Sequence, residues 1–209
     1  MNFSLGEIDA LSRKAARGAG YPWGLAEEAG RAVAWLCHKG LDGCGAFVRV
    51  LNRNLAEDLK THQPKALGHH MEGVGILCPI TAGSTLSDLS AELNVAPITF
   101  NHVAEPLLML PFAWNVAKSQ DSSIVLSMDG KDFLIAPNGS FDVSDIVAEA
   151  SIVSVRLQDF VVSHATQKTR ATPKASDLDR LNAFAAQTYA PATAASRRLG
   201  AGSDLSDND

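Results

Sequence analysis

The stretch GAGYPWGLAEEAGRAVAWLCHKGLDGCG, residues 18–45, decides the fold. It holds a glycine elbow with two large aromatics beside it, Tyr21 and Trp23, a helix with an acidic first turn and a second glycine-rich turn. Pro22 suits the first turn of a helix, where its missing N–H costs nothing. Glu27 and Glu28 follow early and favour the positive end of the helix. Leu25, Ala29, Val33 and Leu36 recur at helical spacing as its buried stripe, and Gly40 ends it.

The same logic extends on both sides. Upstream, Ser4 and Glu7 form an S-x-x-E capping box, in which each side chain reaches a backbone N–H near the other. Leu5, Ile8, Leu11 and Ala15 then predict a first helix, stopped by Gly18-Ala19-Gly20, because glycine reaches positive φ cheaply. Downstream, Phe47, Val48, Leu51, Leu55 and Leu59 share one face of a third helix. Residues 4–62 therefore read as a three-helix layer.

The character changes after His62. Residues 63–73 form a loop, and short apolar runs separated by Pro, Gly, Asn and Asp read as strands. The candidates are Val74–Ile80, Ile98–His102, Leu107–Leu110, Ile124–Met128, Phe133–Ala136 and Ile152–Val162. Asp129-Gly130 is a tight hairpin signal, since a type I′ turn needs two residues at positive φ, and Asn138-Gly139 is a second. Ser87–Leu93 predicts a short helix, and Asp142–Val147 fits either state. A polar segment, Thr166–Lys174, leads to a last helix capped by Ser176, with Leu178, Leu181, Phe184 and Ala185 inward. The expected fold is α+β: an N-terminal three-helix layer, a central mostly antiparallel sheet in residues 74–162, and a C-terminal helix with its tail in 175–209. A single domain over 1–209 is expected, because the helical part alone is a small core.

Composition limits the function classes. The 209 residues are 46% hydrophobic and 20% charged, an ordinary globular mixture. A net charge of -5 argues against a nucleic-acid partner, which would need Lys and Arg gathered on one face. The most apolar window, Pro106–Ala117, is too short to span a bilayer and carries Pro111, so no membrane partner is expected. The start shows no basic region followed by an apolar run, and the odd set of Cys37, Cys44 and Cys78 reads as reduced thiols in a cytoplasmic protein.

Several residues carry candidate chemistry, each beside a plainer role. Cys44 lies between glycines at a helix start, where a thiol pKa falls and a nucleophile is favoured; the plainer role is a small buried residue at the helix corner. Asp42 and Glu28 are the acid/base candidates. Arg17, Tyr21 and Trp23 cluster at the first elbow as an anion anchor with an apolar wall, or as a staple between two helices with Arg17 solvated. Ser196 and Arg197 are ligand anchors if the tail docks and frayed terminus if it does not. His69-His70 lack metal-ligand spacing, so no metal is expected. Residues 78–85 end a strand in a hydroxyl-bearing loop, but neither a P-loop nor a dinucleotide fingerprint is present, and no cofactor is expected.

Two families resemble this chain. GAGYPWGLAEEAGRAVAWL near the start, LLMLPFA in the middle and TYAPATAASRRLGAGSDLSDND at the end resemble DUF3726, a bacterial family known only as a domain of unknown function. That resemblance implies no activity or catalytic residue. Residues 4–51 also resemble the helical opening of the malate/L-lactate dehydrogenase type 2 family, through a capped helix, a glycine elbow, an alanine-rich helix and the G-L-D-x-x-G turn. That family's turn holds Ser-His, and the histidine belongs to its active site. Gly43-Cys44 stand here instead, so the catalytic imidazole is missing, and the nicotinamide-binding segments are not recognised.

Two functional readings follow, and the residues leave open whether the chain is an enzyme. In the first, it is an enzyme or binder of a small anionic metabolite, with a pocket among the Gly18–Trp23 elbow, the Asp42–Cys44 turn and Arg197. In the second, it is a non-catalytic interaction module or homodimer, presenting Trp23, Trp35 and the LLMLPFAW segment as an apolar surface. The first needs polar side chains converging in a cavity, and the second needs exposed aromatics on a flat face.

Overall fold

Capping and glycine signals produce three consecutive helices in a computed structural model that describes residues 2–142, 148–159 and 167–189. They are α1 (Leu5–Gly18), α2 (Trp23–His38) and α3 (Gly43–Asn52). The Ser4 hydroxyl accepts from the Glu7 N–H at 3.2 Å, and the Ser4 N–H donates to the Glu7 carboxylate at 2.7 Å. Gly20 and Gly40, at φ 101° and 78°, supply the left-handed residues that release α1 and α2. Pro22 takes the cap position just before α2 rather than its first turn. The third helix stops at Asn52, short of Leu59, and Asn54 at φ 54° turns the chain away. Leu55 is buried nonetheless.

The strands are β1 (Phe3–Ser4), β2 (His70–Met71), β3 (Ile98–Ala104), β4 (Ile124–Met128), β5 (Lys131–Ile135), β6 (Phe141–Asp142), β7 (Glu149–Leu157) and β8 (Arg170–Ala171). The main sheet runs β2-β3-β7-β4-β5-β6 and is antiparallel except between β2 and β3, while β1 and β8 pair separately. Asp129 (φ 49°) and Gly130 (φ 82°) form the expected hairpin turn between β4 and β5. The Asp129 carboxylate also accepts from the Ser151 and Ile152 N–H groups at 3.1 and 2.8 Å, which ties the turn to β7.

Two expected strands are absent, one replaced by an irregular segment that runs into a helix and the other by helical turns. From Val74 to Ile80 only Leu77 makes a bridge, to Val103, and Pro79 opens α4 (Pro79–Asp88). A 3-10 turn at Pro106–Met109 replaces the strand expected at Leu107–Leu110 and feeds α5 (Leu110–Gln120). Pro79, Pro106 and Pro111 all sit in first turns, where proline starts a helix instead of breaking one. The short helix expected at Ser87–Leu93 divides between the end of α4 and a 3-10 turn at Ser90–Asn94. The last helix, α6 (Ala175–Ala186), is preceded by Lys174, so Ser176 lies inside its first turn and does not cap it. The segment expected to fit either state, Asp142–Val147, falls mostly outside the described residues.

One contiguous cluster of buried side chains joins helices and sheet, from Ile8 through Phe47, Leu77, Phe100, Phe112 and Phe133 to Phe184. Close helix contacts depend on missing side chains. A Cβ on Gly30 would meet the Asp9 carboxylate and lie 2.8 Å from its carbonyl oxygen, so α1 and α2 touch there without an intervening side chain. Lys39, which follows α2, is buried; its ammonium donates to the Gly139 carbonyl at 2.7 Å and lies over the Trp35 and Phe141 rings. This links the helical layer to the β5–β6 turn.

Candidate functional site

The corner between α2 and α3 is built by the residues of the LDGCG turn. The Asp42 carboxylate caps α3 by accepting from the Gly45 N–H at 2.9 Å. Gly45 leaves room for that carboxylate, which an added Cβ would strike. At Gly43 a Cβ would lie 2.6 Å from the Val33 carbonyl oxygen and 2.9 Å from Leu36 Cβ. Both glycines therefore serve the packing of α3 against α2.

This makes Gly45→Ala a substitution whose sign depends on Asp42. Asp42→Ala should cost about 1 kcal/mol as a lost helix cap. Gly45→Ala gains about 1 kcal/mol in helix propensity and displaces the cap, so it should be neutral or destabilising in the native chain. In the Asp42→Ala background the same change should stabilise by about 1 kcal/mol. Urea denaturation of the four chains checks this, and equal effects of Gly45→Ala in both backgrounds would refute it.

A cleft of about 470 Å³ opens at this corner. Cys37 and residues 40–44 form one side, and Lys168, Arg170, Thr172 and Lys174 are on the other. Two sets of bonds fix the second side. The Lys168 N–H donates to the His38 carbonyl at 2.6 Å while His38 Nδ1 donates back to the Lys168 carbonyl at 2.8 Å. The Arg170 guanidinium donates to the Asn2 side-chain and backbone oxygens, each at 3.0 Å, where β8 pairs with β1.

Two thiols line the cleft. Cys37 Sγ and Cys44 Sγ are 3.8 Å apart, and both residues are buried. The Cys44 S–H donating to Cys37, with the Cys44 and Gly43 N–H groups behind it, draws the Cys37 thiol below its ordinary value. The Cys44 thiol is pushed far up by giving that bond, by burial and by the charge of Cys37. Beside them Arg49 forms a two-point ion pair with Glu105, at 2.8 Å to each carboxylate oxygen, and lies 3.8 Å from Asp42 Oδ2.

The residues singled out in the sequence occupy several places. Asp42 and Cys44 line the cleft just described. Arg17 donates to the Tyr21 carbonyl and lies 4.6 Å from the Trp23 ring centroid, with Trp23 66% exposed. Tyr21 is buried, its hydroxyl 3.3 Å from Cys78 Sγ, and desolvation pushes its phenol well above the ordinary value. None of these three lines the Asp42–Cys44 cleft. Glu28 bonds Arg31 at 2.7 Å and borders a separate cleft of about 300 Å³ with Asp9, Trp35 and Trp114. Ser196 and Arg197 lie outside the described residues. Sequence reasoning missed Cys37 and the facing wall, although three cations within residues 168–174 were a visible signal. Among the described residues no group of three or more His, Cys, Asp or Glu is placed to hold a metal ion, and no helix is long and apolar enough to cross a membrane.

Comparison with known proteins places the N-terminal half. Residues 3–99 match the family described as Protein of unknown function (DUF3726). The LLMLPFA stretch and the tail lie beyond the matched residues. No curated protein matches the chain. Among solved structures it is similar to malate dehydrogenase from Entamoeba histolytica, at 9% identity and a TM-score of 0.45, over 68% of this chain. The chain spans only 44% of the length of that one.

Proposed function

We propose that this protein binds a small anionic metabolite in the cleft at the start of α3. The observation that carries the reading is the facing of the α3 N-terminus and the cations Lys168, Arg170 and Lys174 across one cavity of about 470 Å³. The start of α3 brings the partial positive charge of the helix dipole, while its first N–H groups are held by Asp42, Cys37 and Leu41, so the flanking ammonium and guanidinium groups supply the donors to the anion. In this reading Asp42 is the acid/base group of the cleft, and Cys37 and Cys44 are its inner wall. Glu28, at a different cleft, takes no part, and Arg17 and Trp23 form a separate surface. The interaction-module reading loses its main element, because Leu107–Phe112 is buried core.

Thermal denaturation with inorganic phosphate, citrate and a nucleoside monophosphate, against glucose as a neutral control, tests this. A binding anion at a hundred times its Kd should stabilise the fold by about 2.7 kcal/mol. Lys168→Ala with Lys174→Ala should weaken that anion at least about tenfold, and added salt should weaken it further. Arg17→Ala should leave the shift intact. The proposal fails if no anion stabilises the protein, or if the shift survives in the double lysine variant and disappears in Arg17→Ala.

A further inference from the structure

We infer that Cys37 and Cys44 form a redox-active dithiol, which hydrogen peroxide entering the cleft converts to an intrachain disulfide. Three observations meet there. The sulfurs are 3.8 Å apart, so a disulfide at about 2.05 Å requires an approach of about 1.8 Å. Cys37 lies in the last turn of α2 and Cys44 in the first turn of α3, with Gly40 at positive φ in the turn between them, so the approach falls on the two helix ends that the turn joins and not on helix middles. Both residues also line the cleft, which gives a small oxidant a path that their burial would otherwise deny.

The two sulfurs have different parts. Cys37 accepts from Cys44 and from the first N–H groups of α3, which favours its thiolate, the nucleophilic form. That thiolate attacks one peroxide oxygen, the O–O bond breaks, and the departing hydroxide takes a proton to leave as water. Cys37 is then a sulfenic acid. The Cys44 sulfur attacks the Cys37 sulfur, the S–O bond breaks, and the hydroxide takes the Cys44 proton as a second water. Two thiols are oxidised by two electrons, one peroxide is reduced, and one S–S bond forms. Neither step requires an anion in the cleft.

Cys78 is the built-in control. It is fully buried, its sulfur meets the Tyr21 hydroxyl, it lines no part of this cleft, and burial pushes its thiol up. The test treats the native chain with hydrogen peroxide, then unfolds it in an alkylating agent and maps the cysteines by mass spectrometry. Alkylated cysteines should fall from three to one, the survivor being Cys78, and dithiothreitol should restore all three. Cys78→Ser should still lose both remaining thiols, and Cys44→Ala should form no internal bridge. The inference is overturned if all three cysteines stay alkylatable at a peroxide dose that oxidises free glutathione. It is equally overturned if the bridge includes Cys78 or joins two chains, or if Cys37 ends as a sulfinic acid with Cys44 still free.

Discussion

Replacing Arg49 by alanine should lower the unfolding free energy by about 3 kcal/mol, because it leaves a buried carboxylate without its counter-charge. Glu105 is 1% exposed and stands at φ 43° where β3 ends, with its N–H donating to the Ala148 carbonyl at 2.8 Å. Backbone and side chain are both held, so the carboxylate cannot swing out to water. Arg49 reaches it from α3 with two bonds at 2.8 Å, while its own side chain is 43% exposed. That exposure puts the estimate at the low end of the range of about 3–5 kcal/mol for breaking a buried pair.

The same asymmetry makes Glu105→Gln milder than Arg49→Ala. The amide oxygen still accepts one bond, and the unpaired charge left behind is a guanidinium that solvent reaches. Arg49→Lys should fall between them, keeping the charge and losing the two-point fork. As an internal comparison, Arg156 contacts Asp132 at 3.0 Å with both side chains at least a third exposed, and Arg156→Ala should cost under about 1 kcal/mol. Urea denaturation of the four variants decides the matter. If Arg49→Ala and Arg156→Ala lose equally, Glu105 is not the buried partner described.

The second large effect belongs to Gly18. A Cβ there would overlap the Phe184 carbonyl oxygen and lie 2.7 Å from its carbon, so the obstacle is backbone rather than a movable side chain. Gly18→Ala should therefore push α6 off α1. The cost should lie between about 1–3 kcal/mol for a tolerated overpacking and the larger loss from exposing Leu181 and Phe184, each worth about 1.5–3 kcal/mol. Limited proteolysis should then cut within residues 175–186 before the rest of the chain. Gly24→Ala is the matched control: a Cβ on Gly24 meets nothing within 4 Å, and alanine in α2 should stabilise by about 0.5–1 kcal/mol. Native stability in Gly18→Ala, with α6 as resistant as before, would show that the helix contact is looser than described.

Much of the fold was legible because its signals are local. The capping box placed the start of α1, the glycine elbows placed the ends of α1 and α2, the 3.6-residue stripes marked three N-terminal helices, and Asp129-Gly130 placed a hairpin from two residues. The errors have a common cause. Within α5 the residues Leu110–Ala113 are all buried, as are Pro79–Gly83 in α4. A helix buried all round loses its amphipathic stripe, and its apolar run then resembles a core strand. The prolines deepened the confusion, since proline at a helix start and proline ending a strand look alike along a sequence.

The candidate site divides in the same way. From residues 18–45 alone came the α2–α3 corner and the presence of a thiol at a helix start, both matters of neighbours within a few positions, whereas the sequence presents Asp42 as an acid/base group and its cap role appears only in the structure. The tertiary structure decided which residues stand opposite. It brought Lys168 to Lys174 across the cleft, set Glu105 against Arg49, and buried Tyr21 while leaving Trp23 in solvent. It also gave Gly43 and Gly45 their reason, in atoms of α2 and of the Asp42 carboxylate that occupy the space a side chain would need. Such pairings join residues far apart along the chain, and they are fixed by the closure of one shared core, which short-range periodicity does not encode.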